Sequence, residues 1–405
     1  MWYGPAVDLN DTPEQAEFRA RVRSWLDEHR GDSPPRISGM HAADPAPYRR
    51  WQGQLARAGL VGVTWPVEYG GGGLGPIEEL IAGEELTRAG CASIIDHIAI
   101  GELGPTLIAY GTEEQKRRYV APMLHGEEGW CQLFSEPAAG SDLAGIQTRA
   151  RRTETGWRID GQKVWTTLAQ AADFGLLLAR TDPDVPKHRG LTMFVVDMHA
   201  PGVTVRPLRL MSGTAPFNEV FFDSVELPED ALVGPVEGGW GVAMTTLMFE
   251  RLMALAAFEQ MAPPPEQLLA PVANHPAVQD GDVRRRIAEL TVDRLGLRFA
   301  SYRALTAIQD GRIPGPEAGL GKIGVVEAGR KAAALIAEIL GPDALEGEWG
   351  ELGAEMPGMR SAGGTEEILR NTIGERVLGL PPEPRVDKGI PFSELGRRPA
   401  EPAGR

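Results

Sequence analysis

The sequence predicts an α+β protein in which a helical block, a block of strands and a second helical block follow one another. Residues 12–128 space their apolar side chains as helices do, whereas residues 130–233 alternate apolar and polar side chains as strands do. Helical spacing returns from about 238 to about 380. We therefore expect four regions: an N-terminal helical domain (1–128), a central β-barrel-like or β-sandwich domain (129–236), a C-terminal four-helix bundle (237–385) and a tail (386–405).

The first helical block opens with an N-cap signature. Thr12 precedes Pro13, which suits the first position of a helix, and residues 17–30 continue with apolar side chains on one face. Two further stretches, 76–88 and 112–124, have the same character. Helical signals therefore dominate this block.

A run of four glycines, Gly70–Gly73, interrupts that block. Glycine-rich runs can hold phosphate groups, but that use needs a strand before the run, and Pro66 argues against a strand there. A flexible break between helices is the preferred interpretation.

The middle of the chain predicts short strands. Residues 157–165 alternate around the dipeptide Asp160-Gly161, which favours a two-residue hairpin turn. Further strands, each bounded by Gly, Pro or Asp, are expected at 176–179, 191–197, 203–208 and 219–227.

The last third of the chain predicts long amphipathic helices. They are expected at 242–260, 282–310, 316–340 and 365–378. The prolines Pro263–Pro265 separate the first of them from the rest.

Composition disfavours several classes of function. The formal net charge of −15 over 405 residues argues against a nucleic-acid binder or a protein that docks on an anionic membrane. No apolar run reaches the ~20 residues that a bilayer-spanning helix needs, so no membrane insertion is expected. Residues 1–10 lack the pattern of a signal peptide, and we expect a cytoplasmic location.

Metal and disulfide chemistry are not expected either. The two cysteines, Cys91 and Cys131, are far apart in sequence, and the seven histidines show no paired ligand spacing.

The segment with the most chemical information is residues 130–143, which read WCQLFSEPAAGSDL. An apolar strand end turns sharply through Pro137 and Gly140, with many backbone N–H and hydroxyl donors. Such a turn can hold the edge of a flavin or an anion, although a well-capped loop with no ligand has the same pattern.

Four segments in this order resemble the acyl-CoA dehydrogenase family. They are GTEEQK at 111–116, the flavin-loop segment at 130–143, DGQKVWTT at 160–167, and GGTEEILRN at 363–371 with ERVLG at 375–379. The resemblance covers roughly residues 10–390. It implies the fold of that family, FAD as the cofactor and an acyl thioester as the substrate.

Carried over by position, the resemblance implies a set of flavin contacts in the first loop. Leu133 and Ser135 would contact the pyrimidine edge of the flavin, and Phe134 belongs to the same cofactor-binding set. Gly140 and Ser141 would lie near the pyrophosphate of FAD and near the acyl-CoA.

Two further segments complete the implied cofactor site. Trp165 would pack beside the flavin, although a buried tryptophan often only packs in a core. Thr167 would address N5 of the flavin, and Thr166 is its neighbour in the cofactor-binding set. Thr365 and Glu367 would bind the adenine-side half of FAD.

The catalytic base departs from the commoner pattern of the family. Removing a proton next to a thioester needs a carboxylate in a dry pocket, and most members place a glutamate where this chain has Gly363. A minority, resembling isovaleryl- and long-chain-type enzymes, place it on a helix of the third domain just before an arginine. Glu250-Arg251 matches that pattern, so Glu250 is predicted to be the base, with an exposed or ion-paired glutamate as the alternative.

The same resemblance implies how the substrate would be held. Arg251 would help to hold the substrate, or would form an ordinary salt bridge, and Gly364 belongs to the substrate-binding set with Ser141. The backbone N–H of Gly363 would donate to the thioester carbonyl as negative charge develops there.

Two other family segments are changed. The usual Arg-x-x-Phe-Gly, which reaches the FAD of a neighbouring subunit, has no counterpart in residues 262–274, and Gln-x-x-Gly-Gly is altered at 338–342. These changes resemble bacterial enzymes for bulky acyl groups such as steroid side chains, some of which assemble from two different chains. A homodimer, a homotetramer and a heterotetramer all remain open.

Three hypotheses for function follow. The first is an FAD-dependent dehydrogenase that converts an acyl-CoA, or a thioester of an acyl carrier protein, to the trans-2-enoyl thioester and passes electrons to an electron-transfer flavoprotein. The second is a flavin oxidase or monooxygenase on the same fold. The third is a partner subunit of a heteromeric dehydrogenase with an impaired site.

Overall fold

The computed structural model describes residues 11–36, 44–256, 272–309, 315–385 and 387–395. Four sequence features lie wholly or mostly outside them: the N-terminal ten residues, the Pro263–Pro265 break, the segment 262–274 and the end of the tail. By its internal contacts the chain divides into two units. The helical unit contains residues 1–95 and 250–379, and the sheet unit contains residues 96–249 and 380–405.

The described residues form ten α-helices and eight strands. The helices are α1 Pro13–His29, α2 Ala46–Arg57, α3 Pro76–Ala89, α4 Gly104–Tyr110, α5 Glu113–Leu124, α6 Gly239–Ala256, α7 Gly281–Gln309, α8 Gly319–Leu340, α9 Gly347–Met359 and α10 Glu366–Arg376. The strands are β1 Trp130–Leu133, β2 Arg149–Arg152, β3 Gly156–Thr167, β4 Phe174–Arg180, β5 Leu191–Asp197, β6 Val203–Leu208, β7 Phe217–Pro228 and β8 Leu232–Val233. The predicted order of helical, strand and helical blocks is confirmed.

In the helical unit, α1 packs on α3, and α8 packs on α7, α9 and α10. The N-cap predicted at Thr12 is confirmed, because its hydroxyl accepts a hydrogen bond from the backbone N–H of Gln15 and the Gln15 side chain bonds back to the N–H of Thr12. None of the described helices is long and apolar enough to cross a membrane.

The sheet unit is built on one eight-stranded sheet in the order β6-β7-β3-β2-β4-β5-β8, with β1 parallel to β4. The end strands β6 and β8 do not pair with each other, so the predicted β-domain is an open sheet and not a closed barrel. Its core is formed by apolar side chains on one face, among them Leu133, Trp157, Phe194 and Val220.

The hairpin predicted at Asp160-Gly161 is wrong. These residues lie within β3, which continues along β7 through a register shift between Ile159 and Gly161. A Cβ atom at Gly161 would lie 2.5 Å from the Thr148 hydroxyl oxygen. The glycine is therefore required by a close approach of the chain, and not by a turn.

The glycine run Gly70–Gly73 does not offer its N–H groups to a phosphate. The backbone N–H groups of Gly71, Gly72 and Gly73 donate to the carbonyls of Pro66, Gly62 and Trp65, at 3.1, 3.0 and 2.8 Å. The run is therefore a packed turn whose donors are already used.

Candidate active site

The loop after β1 carries the first group of predicted cofactor residues. Leu133 and Phe134 are buried, and Ser135 is partly exposed. The backbone carbonyl of Ser135 accepts a hydrogen bond from the N–H of Val164 at 2.9 Å. This bond places the loop directly beside the far end of β3.

A buried ion pair fastens the same loop to β3. The Lys163 ammonium donates to the Glu136 carboxylate at 2.8 Å and to the carbonyl of Phe134 at 2.9 Å. Glu136 also accepts from the backbone N–H groups of Gln147 and Thr148, at 2.6 and 2.9 Å. Burial acts to raise the pKa of Glu136, but the lysine charge and these donors outweigh it and hold that pKa below its usual value.

The far end of β3 carries the second group, around a bulge. The register with β7 shifts between Lys163 and Thr166, and Trp165 adopts a left-handed backbone with φ of 61°. A tryptophan in that conformation is unusual and strained, as is typical of functional sites. Its indole is 57% exposed and meets the ring of Phe217 edge-on.

The hydroxyl oxygen of Thr166 is buried without a partner. Among the described residues no group hydrogen-bonds to it, although the Thr166 carbonyl accepts from the Asn218 side-chain amide at 3.0 Å. Thr167 is partly exposed. A half-exposed indole beside an unsatisfied buried hydroxyl fits a surface that receives a polar, planar cofactor.

The glycine end of the loop lies at the surface of the sheet unit. Gly140 and Ser141 are exposed, and two backbone hydrogen bonds between Glu136 and Ala139, both 3.0 Å, close the turn before them.

Two cations that the sequence did not single out hold this part of the loop. Lys187 donates to both oxygens of the Asp142 carboxylate at 2.8 Å and pairs with Asp387. The buried Arg180 donates to the carbonyls of Ala144 and Ile146, at 2.6 and 3.1 Å. Nothing in their spacing predicted these contacts, because both residues lie far along the chain from the loop.

In the helical unit, the predicted base meets the predicted oxyanion donor. A Cβ atom at Gly363 would lie 2.7 Å from one carboxylate oxygen of Glu250. Gly363 and Gly364 both have left-handed backbones, with φ of 62° and 85°, which favour glycine. Burial raises the pKa of Glu250, and the charges of Arg251 and Lys322 oppose that rise.

The remaining predicted residues surround this turn. Arg251 is exposed and, within the described part of the chain, forms no ion pair. Thr365 is the N-cap of α10, its hydroxyl accepting from the N–H of Ile368 at 3.2 Å. Glu367 is exposed in the first turn of that helix, and a hydrogen bond from its own backbone N–H lowers its pKa.

Among the described residues, no group of three His, Cys, Asp or Glu side chains could hold a metal ion. Cys91 and Cys131 are buried and not joined to each other. Burial raises the pKa of the Cys131 thiol, which disfavours the reactive thiolate.

The architecture is a helical block, an open sheet that carries the loop after β1 and the end of β3, and a second helical block. It defines a class of flavin-dependent oxidoreductases. Models of the acyl-CoA dehydrogenase N-terminal, middle and C-terminal domains match residues 12–127, 131–225 and 237–378. The chain belongs to the acyl-CoA dehydrogenase family, whose members are FAD-dependent.

Among the relatives are acyl-CoA dehydrogenases of Mycobacterium tuberculosis. FadE34 is 39% identical over 91% of this chain, which spans only 51% of the length of FadE34. IpdE1 is 37% identical, with 91% of this chain and 98% of IpdE1 covered.

Among the solved structures, the Tcur3481-Tcur3483 steroid acyl-CoA dehydrogenase superimposes with a TM-score of 0.80 at 28% identity, covering 93% of this chain and all of that chain. The ChsE4-ChsE5 complex from Mycobacterium tuberculosis gives 0.77 at 27% identity, with the same coverage.

Proposed function

We propose that this protein removes two hydrogens from the α,β carbon–carbon bond of an acyl-CoA, with Glu250 as the base that takes the α-proton. The product is the trans-2-enoyl thioester. FAD, when bound, supplies the acceptor for the β-hydride at N5. The observation that carries the proposal is the placement of the Glu250 carboxylate 2.7 Å from where a Cβ at Gly363 would lie.

That placement supports a relocated base. Most members of the family carry their glutamate at the position of Gly363, and here the space of its first side-chain atom lies within contact distance of a carboxylate from another helix. The same reactive region can therefore receive a carboxylate from either position. The glycine is needed because any side chain would push Glu250 away.

The raised pKa of Glu250 suits the task. Burial disfavours the charged carboxylate and so makes it a stronger base toward a carbon acid. The charges of Arg251 and Lys322 oppose this effect and limit the rise in the pKa. A base whose pKa lies near the working pH transfers protons most efficiently.

Charge that develops on the thioester oxygen needs donors. The N–H of Gly363 fits that role, because its left-handed turn exposes the backbone to a ligand without a side chain in the way. Gly364 and Arg251 would then line the substrate side of the turn.

The residues of the sheet unit fit FAD. Leu133, Phe134 and Ser135 would face the flavin edge, and Trp165 and Thr167 would lie beside its ring. The unpartnered Thr166 hydroxyl offers a further polar contact. Gly140 and Ser141 would approach the pyrophosphate. Thr365 and Glu367, which belong to the helical unit, would bind the adenine side of FAD.

We further propose a bulky acyl group, a second chain in the assembly and an electron-transfer flavoprotein as acceptor. The absent side chain at Gly363 leaves room in the acyl site, and two similar structures are named as a steroid dehydrogenase and a two-protein complex. The missing Arg-x-x-Phe-Gly segment is consistent with FAD contacts that come from a different chain.

The test is anaerobic reduction of the flavin by a panel of acyl-CoA thioesters, from short straight chains to polycyclic acyl groups. Glu250→Gln should slow bleaching of the flavin by roughly 10²–10⁴-fold while FAD stays bound. Glu327→Gln, at a half-exposed carboxylate of α8 paired with Arg330, is the matched control and should bleach normally. Unchanged bleaching in Glu250→Gln would remove Glu250 from this role.

A further inference from the structure

Lys322, on α8, bonds both ends of the turn that carries Gly363. Its ammonium donates to the carbonyl of Arg360 at 2.8 Å and to the carbonyl of Gly364 at 2.9 Å. The Arg360 carbonyl also accepts from the N–H of Glu366 at 3.1 Å. One side chain thus fixes the distance between two carbonyls that flank Gly363 in sequence.

The ammonium is unusual because its partners are carbonyls. Within the described residues no carboxylate lies within 4.0 Å of it, whereas Lys331 of the same helix pairs with Asp293 at 2.8 Å. A surface lysine would place its charge in water or against a carboxylate. Lys322 is instead half-buried beside the turn, and no carboxylate of the described residues is in direct contact with it.

We propose, building on the proposed function, that Lys322 is a positioning residue of the reaction. Its two hydrogen bonds hold the Gly363 N–H in place, and its charge acts on the Glu250 carboxylate.

The charged groups around the Glu250 carboxylate and the Lys322 ammonium come from four elements. Arg251 lies next to Glu250 on α6, Lys322 lies on α8, and the turn and the start of α10 supply Arg360, Glu366 and Glu367. Burial lowers the pKa of Lys322, and the charges of Glu366, Glu250 and Glu367 oppose that change. Arg251 and Lys322 act together to limit the rise in the pKa of Glu250.

Removing the ammonium should have two effects. The turn loses its clamp, so we expect flavin reduction to slow by roughly 10- to 100-fold, as misplaced catalytic groups do. Glu250 loses a favourable charge, so the midpoint of the rise in rate with pH should move upward by roughly half a unit or more. A purely structural lysine would lower the melting temperature and leave that midpoint where it was.

The experiment compares Lys322→Met, Lys322→Gln and Lys322→Arg in the FAD-loaded enzyme, with Lys331→Met as the control on the same helix. The readouts are the pH profile of anaerobic flavin reduction, the FAD content and the melting temperature. We expect the midpoint of the rise in rate with pH to lie higher than in the wild type for Lys322→Met and Lys322→Gln, with a smaller loss of rate in Lys322→Gln. Lys322→Arg and Lys331→Met should keep the wild-type midpoint.

A wild-type midpoint in Lys322→Met would overturn the inference. If that variant fails to fold, a wild-type midpoint in Lys322→Gln would do so instead. Glu250→Gln is measured in the same series to separate the two proposals. If it still bleaches, the proposed function fails; if it does not and the Lys322 variants shift nothing, only the inference about Lys322 fails.

Discussion

At position 363, a side chain and the Glu250 carboxylate would occupy nearly the same space. The clash would involve the end of a flexible side chain, so it can be relieved by moving the carboxylate and not the backbone. A methyl group at 363 should leave the fold intact and displace the base.

We therefore predict that Gly363→Ala folds, with a cost of about 1–2 kcal/mol from the left-handed backbone, and reduces its flavin at least tenfold more slowly. The measurements are thermal unfolding and anaerobic bleaching by acyl-CoA. Gly213→Ala is the control, because it shares a left-handed backbone (φ of 88°) and a Cβ there would meet no neighbour. Normal bleaching in Gly363→Ala would contradict the steric account.

The buried hydroxyl of Thr166 gives a second prediction. An unsatisfied buried hydroxyl is destabilising, so Thr166→Val should stabilise the flavin-free protein by about 1 kcal/mol. If the hydroxyl bonds the cofactor, the same change should weaken FAD binding roughly tenfold. Thr153→Val is a matched control, because its hydroxyl is also buried without a partner but lies in the turn between β2 and β3.

Thermal melts measure the change in stability, and FAD titrations measure the change in FAD affinity. Both valine variants should melt higher without FAD, and only Thr166→Val should bind FAD more weakly. Equal FAD affinity in the two variants would show that the Thr166 hydroxyl does not face the cofactor.

Single residues were predicted where a motif or a chemical need singled them out. Thr12 followed from capping chemistry and is confirmed. Glu250 followed from the resemblance of Glu250-Arg251 to a minority pattern of the family, and its role stays a prediction. Lys163, Lys187 and Lys322 were missed, because a lysine that bonds a distant backbone carbonyl or a distant carboxylate has no local signature. Long-range partners of this kind depend on tertiary packing, which a single sequence does not display.

At the scale of elements, the flavin loop and β3 form one piece. The Lys163–Glu136 pair, the Val164 to Ser135 hydrogen bond and the bulge at Trp165 join the loop to the strand end. A buried pair is sensitive to the loss of one partner, because the other charge is then left buried without compensation. Loss of one partner of the pair should therefore destabilise the flavin loop and the end of β3 together.

We predict that Lys163→Met destabilises the sheet unit by about 3–5 kcal/mol and lowers the FAD content, since the Glu136 carboxylate would keep only its backbone donors. The double variant Lys163→Met/Glu136→Gln should recover part of that loss, because no buried charge remains. Chemical unfolding and FAD absorbance measure both effects. Strict additivity of the two single changes would contradict a direct pair.

The β3 strand also shows why element prediction stopped short. Asp160-Gly161 is a strong local turn signal, but strand pairing with β7 and the approach of Thr148 overrode it. The strands at 191–197 and 203–208 were predicted with their observed bounds, because their local pattern agrees with their burial or edge position. Local signals thus succeed where tertiary contacts agree with them.

For the whole molecule, the order of helices, sheet and helices followed from the period of the apolar residues. That the sheet stays open did not follow from this period, because closure depends on whether the two end strands pair with each other. The domain boundaries at 128, 236 and 385 stay a prediction. So do the partners and the cytoplasmic location, since the net charge of −15 only narrows the classes of partner.

The response of the protein to acid is the last prediction. Glu85, whose side chain is 3% exposed, joins α3 to α1 through Arg23 at 2.7 Å and Arg19 at 3.4 Å, and bonds Arg88 of its own helix. Burial acts to raise the pKa of Glu85, but hydrogen bonds and charges from Arg23 and Arg88 outweigh it and lower the pKa to about 2. A carboxyl group with a depressed pKa contributes stability above its unfolded pKa of about 4.3, and that contribution is lost as the pH falls toward 2.

Glu85→Gln should therefore lower the free energy of unfolding by about 2–3 kcal/mol at pH 7, and the difference from the wild type should shrink steadily below about pH 5. Urea unfolding followed by circular dichroism between pH 3 and pH 7 measures it. Glu17→Gln, at an exposed position of α1 with no ion pair among the described residues, should leave the stability unchanged at every pH. A difference for Glu85→Gln that stays constant with pH would mean that packing, and not the charge of Glu85, holds α1 against α3.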